Sequence, residues 1–279
     1  MRINKEQEDI LKNFKCERLS SNRNNIRDIE VFLNTNESLS DTLKNEAYEL
    51  DENNNVAYYL IKDENDDIFF YFSLKCGSLF DMNVDYQRKI EFYEELILKL
   101  EQKYESDETS KSNKETLCEE LKKIKDIKEK MPADVNSQKT TINCTENVGA
   151  TYSGIEIVQF CINERMREKW TSLAFPQKLG VVVFWKFIVP IIIKARELVG
   201  CQYLYLFAID QSSDENLINY YKKGFHFKDA YDQEESYSIL KTYKPLYDSC
   251  CRFMYQEAEG IEKKQESFYE HFNPEEDDI

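Results

Sequence analysis

Glycine and proline are scarce in this chain, 7 and 5 among 279 residues. That scarcity argues against collagen-like, linker-like and propeller architectures, which are rich in those residues. Histidine is scarcer still, with only His226 and His271, and none of the eight cysteines forms a Cys-x-x-Cys pair. A structural zinc site needs clustered Cys and His ligands, so no metal is expected. Basic residues are outnumbered, 37 Lys and Arg against 53 Asp and Glu, giving a net charge of -16. Nucleic acid is a polyanion that rewards a Lys/Arg stripe, and without one no nucleic-acid partner is expected. Long apolar runs are also lacking. Leu179 to Ile193 (LGVVVFWKFIVPIII) contains Lys186 and Pro190 and falls short of the about 20 apolar residues of a spanning helix. It reads as a buried core element, and no membrane association is expected. The opening MRINKEQEDILK lacks the apolar stretch of a signal peptide, so the expectation is a cytoplasmic protein with reduced thiols.

What is present is material for a core: 41% hydrophobic and 13% aromatic residues, too apolar for wholesale disorder. Residues 1–13 read as a helical lead-in and Phe14 to Leu19 as a first strand. Helical spacing follows at Asn25 to Leu33 and Leu39 to Leu50. Val56 to Lys62 and Ile68 to Phe80 are β-branched and aromatic, which suits two strands joined by a polar turn. From Asp81 the texture changes. Ile90, Tyr93, Ile97, Leu100 and Tyr104, then Leu117, Leu121, Ile124 and Met131, recur at 3-4 spacing around the polar stretch Ser106 to Asn113. That is the pattern of two antiparallel helices. Pro132 to Asn147 reads as a return linker. Strand-like sequence resumes at Gly154 to Ile162 and Cys201 to Ile209. The loop Asn163 to Pro176 lies between them, with a buried helix to about Val199 that Gly200 closes. Ser212 to Lys223 begins with Ser-Ser-Asp-Glu and reads as a capped helix ending at Gly224. Short strands are expected at Phe225 to Phe227, Ser236 to Thr242 and Cys250 to Tyr255. The resulting division is 1–81, an inserted hairpin at 82–147, 148–256, and a frayed acidic tail at 257–279 ending in PEEDDI.

Two short motifs carry chemistry. In Gln177-Lys178-Leu179-Gly180-Val181-Val182 a glycine sits where a loop enters a helix. Backbone N–H groups at a helix N-terminus bind phosphate oxygens, and glycine lets that backbone approach a ligand. In Tyr220-Tyr221-Lys222-Lys223-Gly224-Phe225 a tyrosine lies one turn before a helix-ending Gly-Phe. Taken separately, each also fits an ordinary helix start and an ordinary packed aromatic.

Together and in this order, the two motifs resemble those of the GNAT superfamily of N-acetyltransferases. Gln177 and Gly180 match its R/Q-x-x-G-x-G/A phosphate loop, while Val182 departs from the small residue expected at the last position. Tyr220, Gly224 and Phe225 match its later Tyr-x-x-x-Gly-Phe. The resemblance covers about residues 14–80 and 150–256. It implies an α+β fold: a mixed, mostly antiparallel central sheet flanked by helices, here with an inserted helical hairpin. It further implies acetyl-CoA as cosubstrate, with the backbone of Gln177, Lys178, Leu179, Gly180, Val181 and Val182 on the pyrophosphate. The fourth strand at Phe160, Cys161 and Ile162 would pair with the pantetheine arm. Tyr220 would protonate the leaving thiolate, and a fourth-strand N–H would stabilise the oxyanion. Glu156, on the fourth strand, is either a base for the attacking amine or a surface glutamate. Asp210 either meets substrate or caps the next helix. Arg165, Arg167 and Lys169 either meet phosphates or are solvated. Cys161 lacks a His–Asp partner pattern and reads as a small buried hydrophobe.

The expected activity is acetyl transfer to a primary amine, with the acidic surface favouring a small cationic amine or a lysine side chain. One rival is a non-catalytic CoA-binding or protein-interaction module that uses the hairpin, which also offers a surface for a homodimer. Another is a toxin-like enzyme acting on charged tRNA, against which the acidity counts.

Overall fold

The computed structural model describes residues 3–82, 86–106, 111–129, 148–210, 212–230, 240–242 and 251–272. They form two compact units. One comprises Met1–Leu79, Tyr152–Ser236 and Tyr243–Ile279, the other Phe80–Thr151 and Tyr237–Thr242. In chain order the elements are α1 (Lys5–Lys12), β1 (Lys15–Arg18), α2 (Asn24–Ile29), α3 (Glu37–Asn45), α4 (Ala47–Glu52), β2 (Ala57–Lys62), β3 (Ile68–Met82), α5 (Tyr86–Glu105) and α6 (Lys111–Glu129). Then come β4 (Val148–Ile162), α7 (Arg167–Ser172), α8 (Leu179–Val183), α9 (Val189–Val199), β5 (Tyr203–Ile209), α10 (Asn216–Phe225), β6 (Lys228–Asp229), β7 (Leu240–Thr242), β8 (Cys251–Glu257) and α11 (Ile261–Phe272). The sheet runs β1-β2-β3-β4-β5-β8-β6, with β7 off this path. The β1/β2, β2/β3, β5/β8 and β6/β8 pairs are antiparallel, and β4/β5 is parallel. The expected mixed, mostly antiparallel sheet is therefore present.

Side chains alternate across a strand, so each face of the sheet needs its own cover. On one face Val182, Val183, Phe184, Ile188, Val189 and Ile192 are buried against Phe70, Phe72, Ile157, Leu204, Leu206 and Met254. On the other, Ile29, Phe32, Leu43 and Ala47 from α2–α4 and the turns beside them pack on Tyr58, Leu60, Tyr71 and Cys161. Each such apolar side chain contributes roughly 1.5–3 kcal/mol on burial.

The helix that was expected through Leu179 to Val199 is interrupted by a π turn at Phe184–Ile188, which joins α8 to α9. The N–H of Val189 reaches back five residues to the Phe184 carbonyl. Pro190 has no N–H to offer the carbonyl five residues before it, that of Trp185. That carbonyl accepts instead from Gln265 Nε2 at 2.6 Å, so the backbone acceptor is not orphaned.

Gln265 lies on α11, and here the expectation of a frayed tail at 257–279 is corrected. Residues 261–272 are helical, with Ile261 and Phe272 buried. Phe268 stacks on Trp185 at 6.0 Å, and the Phe272 carbonyl accepts from Ile3 N at 3.3 Å. The apolar residues recur at helical spacing inside a highly charged sequence, and the charge hid the stripe. Asn163 to Pro176 contains a further unexpected helix, α7. The PEEDDI end and the Pro132 to Asn147 linker lie outside the described residues. So do parts of the Ser236 to Thr242 strand, of which β7 is the described portion, and Cys250.

In the second unit, Lys125 pairs with Glu101 at 2.7 Å and Lys128 with Glu94 at 2.8 Å. That reversed order marks α5 and α6 as an antiparallel pair. These pairs are exposed and each contributes at most about 1 kcal/mol. Among the described residues no helix is long and apolar enough to cross a membrane, and no group of His, Cys, Asp and Glu could hold a metal ion.

Candidate active site

The parallel register of β4 and β5 runs from Gly154↔Tyr203 through Glu156↔Tyr205 to Ile157↔Leu206. Beyond that rung β5 continues on β8, pairing Phe207, Ala208 and Ile209 with Phe253, Arg252 and Cys251, while β4 continues to Ile162 beside β3 but without β5. The two strands part there and leave a gap in the sheet. Side-chain alternation in β4 also slips. Ile155 and Ile157 belong to the core of the α8–α9 face. Phe160 and Ile162 pack on that same core, whereas Cys161 is buried on the opposite face. Odd-numbered residues face α8 before the slip and even-numbered ones after it, as when one extra residue is inserted in a strand.

The slip turns Phe160 and Ile162 toward a cavity of about 570 Å³. Its other walls are Phe70 of β3, Arg167, Trp170 and Thr171 of α7, Lys178, Leu179 and Gly180 at the start of α8, and Asn216, Leu217, Tyr220 and Tyr221 of α10. The α10 N-terminus is fixed by Asp210, whose Oδ2 accepts from Leu217 N at 2.7 Å and Ile218 N at 3.0 Å. Asp210 therefore caps the helix, which begins four residues later than Ser212 suggested. Burial opposes ionisation of Asp210, but hydrogen bonds from Ser212 and from the Ile218 and Leu217 N–H groups outweigh it and hold its carboxyl below the usual aspartate range.

Tyr220 is the chemically distinctive wall. Burial raises its phenol above the ordinary value, with the neighbouring Tyr221 adding to the shift, so it stays protonated. Among the described residues its hydroxyl has no hydrogen-bond partner. Tyr220 is half-buried and its side chain lines the cavity, so this donor can meet a ligand there. The hydroxyl rests on Gly180. A Cβ added there would collide with Tyr220 Oη and lie 3.0 Å from Phe160 Cε1. Glycine is needed at this point to seat the tyrosine, whereas the sequence had suggested only close approach to a ligand. Lys178 Nζ stands 5.3 Å from the Tyr220 ring centroid and has no ion pair among the described residues. Arg167, by contrast, forks Glu164 at 2.6 and 2.7 Å, and that hydrogen-bonded pairing lowers the Glu164 carboxyl.

Of the residues singled out in the sequence, the cavity brings together Phe160, Ile162, Arg167, Lys178, Leu179, Gly180 and Tyr220. Gln177 is exposed and does not line it. Val181 and Val182 are buried in the core, so the bulk of Val182 does not narrow the cavity. Cys161 faces away, and burial pushes its thiol up to about 12, which leaves it no nucleophilic role. Lys169 pairs with Asp63 and Asp67 at 2.6 and 3.0 Å. Glu156 is buried on the face opposite the cavity and is not a surface residue. Phe70, Trp170, Thr171, Asn216 and Tyr221 were not foreseen. Trp170, an isolated tryptophan in a charged segment, was the readable signal.

A sheet whose parallel central pair parts, with a helix N-terminus and a tyrosine-bearing helix facing the freed strand, is the arrangement the GNAT resemblance implied. No protein-family description matches the chain in sequence, and no curated protein matches it. Among solved structures, the chain is similar to a tyrosine-to-phenylalanine mutant of the AtaT toxin, at 10% identity and TM-score 0.48 over 90% of this chain and 93% of that one. It is also similar to AtaTR bound with acetyl-CoA, at 12% identity and TM-score 0.47 over 91% and 98%. A third is AtaT complexed with acetyl-methionyl-tRNA, at 12% identity and TM-score 0.44 over 90% and 98%.

Proposed function

We propose that the chain is an acetyl-CoA-dependent N-acetyltransferase that acts on a primary amine. The observation that carries this reading is the partnerless, protonated Tyr220 hydroxyl inside a cavity bounded by the freed edge of β4 and the start of α8. The residues present suit the donor. The first N–H groups of a helix lack intrahelical partners, and those of Leu179 and Gly180, with the unpaired ammonium of Lys178, suit a pyrophosphate. The β4 backbone at Phe160, Cys161 and Ile162 suits the amide-bearing pantetheine arm. Phe70, Phe160 and Trp170 supply apolar wall. The donor brings an acetyl group activated as a thioester.

The chain's own part follows from geometry. Tyr220 gives its proton to the sulfur as the C–S bond breaks and the C–N bond forms. Glu156 takes one proton from the acceptor ammonium on the far side of the gap, the neutral amine then attacks, and the second nitrogen proton leaves to solvent, which returns one to the Tyr220 phenolate. Donor and acceptor thus meet through the sheet, and transfer is direct. No covalent intermediate is required, consistent with the burial of Cys161 away from the cavity.

The test is calorimetric titration with acetyl-CoA, with Gly180→Glu as control, followed by a thiol-release screen of spermidine, an aminoglycoside, a lysine peptide and an aminoacyl-tRNA. Binding that the substitution abolishes, with turnover on an amine, supports the proposal. Absence of binding by the wild-type chain refutes it. Acetylation of the aminoacyl-tRNA alone would overturn the expectation, drawn from net charge, that nucleic acid is not a partner.

A further inference from the structure

A second cavity, of about 670 Å³, lies among β1, the β2–β3 turn, α2 and the chain that follows β4. All of it belongs to the first unit. It shares a partition with the cavity that holds Tyr220. Ile68 and Asn163 line this one, while Phe70 and Ile162, one or two positions away on the same two strands, line the other. Asn163 seals the partition. Its Nδ2 donates to the Ile68 carbonyl at 2.8 Å and its N–H to that of Phe69 at 2.9 Å.

The walls carry four cations, Lys15, Arg27, Lys62 and Arg165, and four carboxylates, Glu17, Asp28, Asp66 and Asp67. Their pairing is uneven. An ammonium has three donors, and Lys62, 2% exposed, uses all of them. They go to Asn25 Oδ1 at 2.6 Å, Glu17 at 2.9 Å and Asp28 at 3.0 Å. Burial opposes that charge, but the hydrogen bonds to Glu17 and Asp28 outweigh it, so Lys62 stays an ammonium. Lys15 holds Asp66 at 3.3 Å, and Lys169 holds Asp67 at 3.0 Å. Every wall carboxylate is thus matched by a lysine. The arginines are not matched in return. Arg165 has no side-chain hydrogen bond or ion pair among the described residues. Arg27 meets a carboxylate only at 3.8 Å, that of its chain neighbour Asp28, which is too far for a hydrogen bond.

A guanidinium fork is complementary to two oxygens of one carboxylate or phosphate. Val31, Ile68 and Met166 add apolar wall, and the volume is that of a metabolite site. We propose that this cavity binds a small organic anion, gripped by Arg27 and Arg165 through a carboxylate or phosphate group. The chain's net charge of -16 repels anions at long range, so the grip comes from these two side chains at contact. The site stands apart from the transfer reaction, and failure of either reading leaves the other intact.

Calorimetry at low ionic strength compares succinate with succinamide, and glycerol 3-phosphate with glycerol. One acid or both should bind with a Kd of about 1 mM or tighter, and neither neutral analogue should. Which acid binds tells a carboxylate ligand from a phosphate ester. Arg27→Met and Arg165→Met should each weaken binding about tenfold, with thermal melts showing that both variants fold. Lys178→Ala should bind the acid as the wild-type chain does. No binding of either acid at about 10 mM would overturn the proposal. So would wild-type affinity in both arginine variants. Loss of binding in Lys178→Ala, or displacement of the acid by acetyl-CoA, would assign the anion to the Tyr220 cavity and overturn it too.

Discussion

Gly180→Ala tests the link between the start of α8 and Tyr220. The added Cβ would collide with Tyr220 Oη and sit 3.0 Å from Phe160 Cε1. Carbon–oxygen contacts are comfortable near 3.5 Å, so the hydroxyl must withdraw by on the order of 1 Å. A displacement of that size can cost about 100-fold in rate, or about 2.7 kcal/mol of transition-state stabilisation. The backbone N–H groups that would meet the pyrophosphate are unchanged, so acetyl-CoA affinity should stay within about threefold by calorimetry. The decisive measurement is a double-mutant cycle read by thiol release. Tyr220→Phe removes the atom that the new Cβ strikes. In that background Gly180→Ala should cost little more, giving a coupling of about 2 kcal/mol. Additive losses, or a Gly180→Ala enzyme with wild-type kcat beside an impaired Tyr220→Phe enzyme, would refute the assignment of the glycine as the seat of the acid.

Two further outcomes are expected. Lys178→Ala should weaken acetyl-CoA binding about five- to tenfold at low ionic strength and much less at high salt, because the ammonium is an exposed charge screened within a Debye length. Calorimetry at two salt concentrations checks this, and an equal loss at both would show a packing effect instead. Asp210→Ala should lower stability by about 0.5–2 kcal/mol through the lost cap on α10. The folded-state pKa of Asp210 lies below its unfolded value. Its contribution is therefore complete above about pH 4 and is lost as pH falls through the folded value. Thermal melts of both proteins across that range should converge at the acidic end, and a constant difference would contradict the sign.

The parts of this molecule that were legible in the sequence are those where local pattern and tertiary role coincide. Val56 to Lys62 and Cys201 to Ile209 are β-branched and aromatic because both faces of the sheet are covered, and both are strands. Tyr220 and Gly180 could be found because a helix end and a helix start each leave a mark in sequence. What could not be read depends on register. Nothing in Gly154 to Ile162 announces the one-residue slip that turns Phe160 inward and Cys161 outward. Nor does anything reveal that Glu156 and Tyr205 share a rung, since pairing between distant strands leaves no local trace. Helices α7 and α11 were missed for a different reason. Their anchors, Trp170, Ile261 and Phe272, are sparse among charges, and tertiary packing decides such segments where propensity does not.

Gln265 and the Trp185 carbonyl set an order of events during synthesis. The helix that begins at Leu179 contains an acceptor that its own Pro190 cannot satisfy, and the side chain that donates to it stands 80 residues later. A ribosome that has translated as far as Gly260 has already made the proposed phosphate-binding loop, Tyr220 and both edges of the gap. It has not made the group that completes the helix holding the loop in place. The nascent chain thus carries every proposed reacting residue before it carries the support for them, and competence to bind acetyl-CoA should arrive abruptly, with α11.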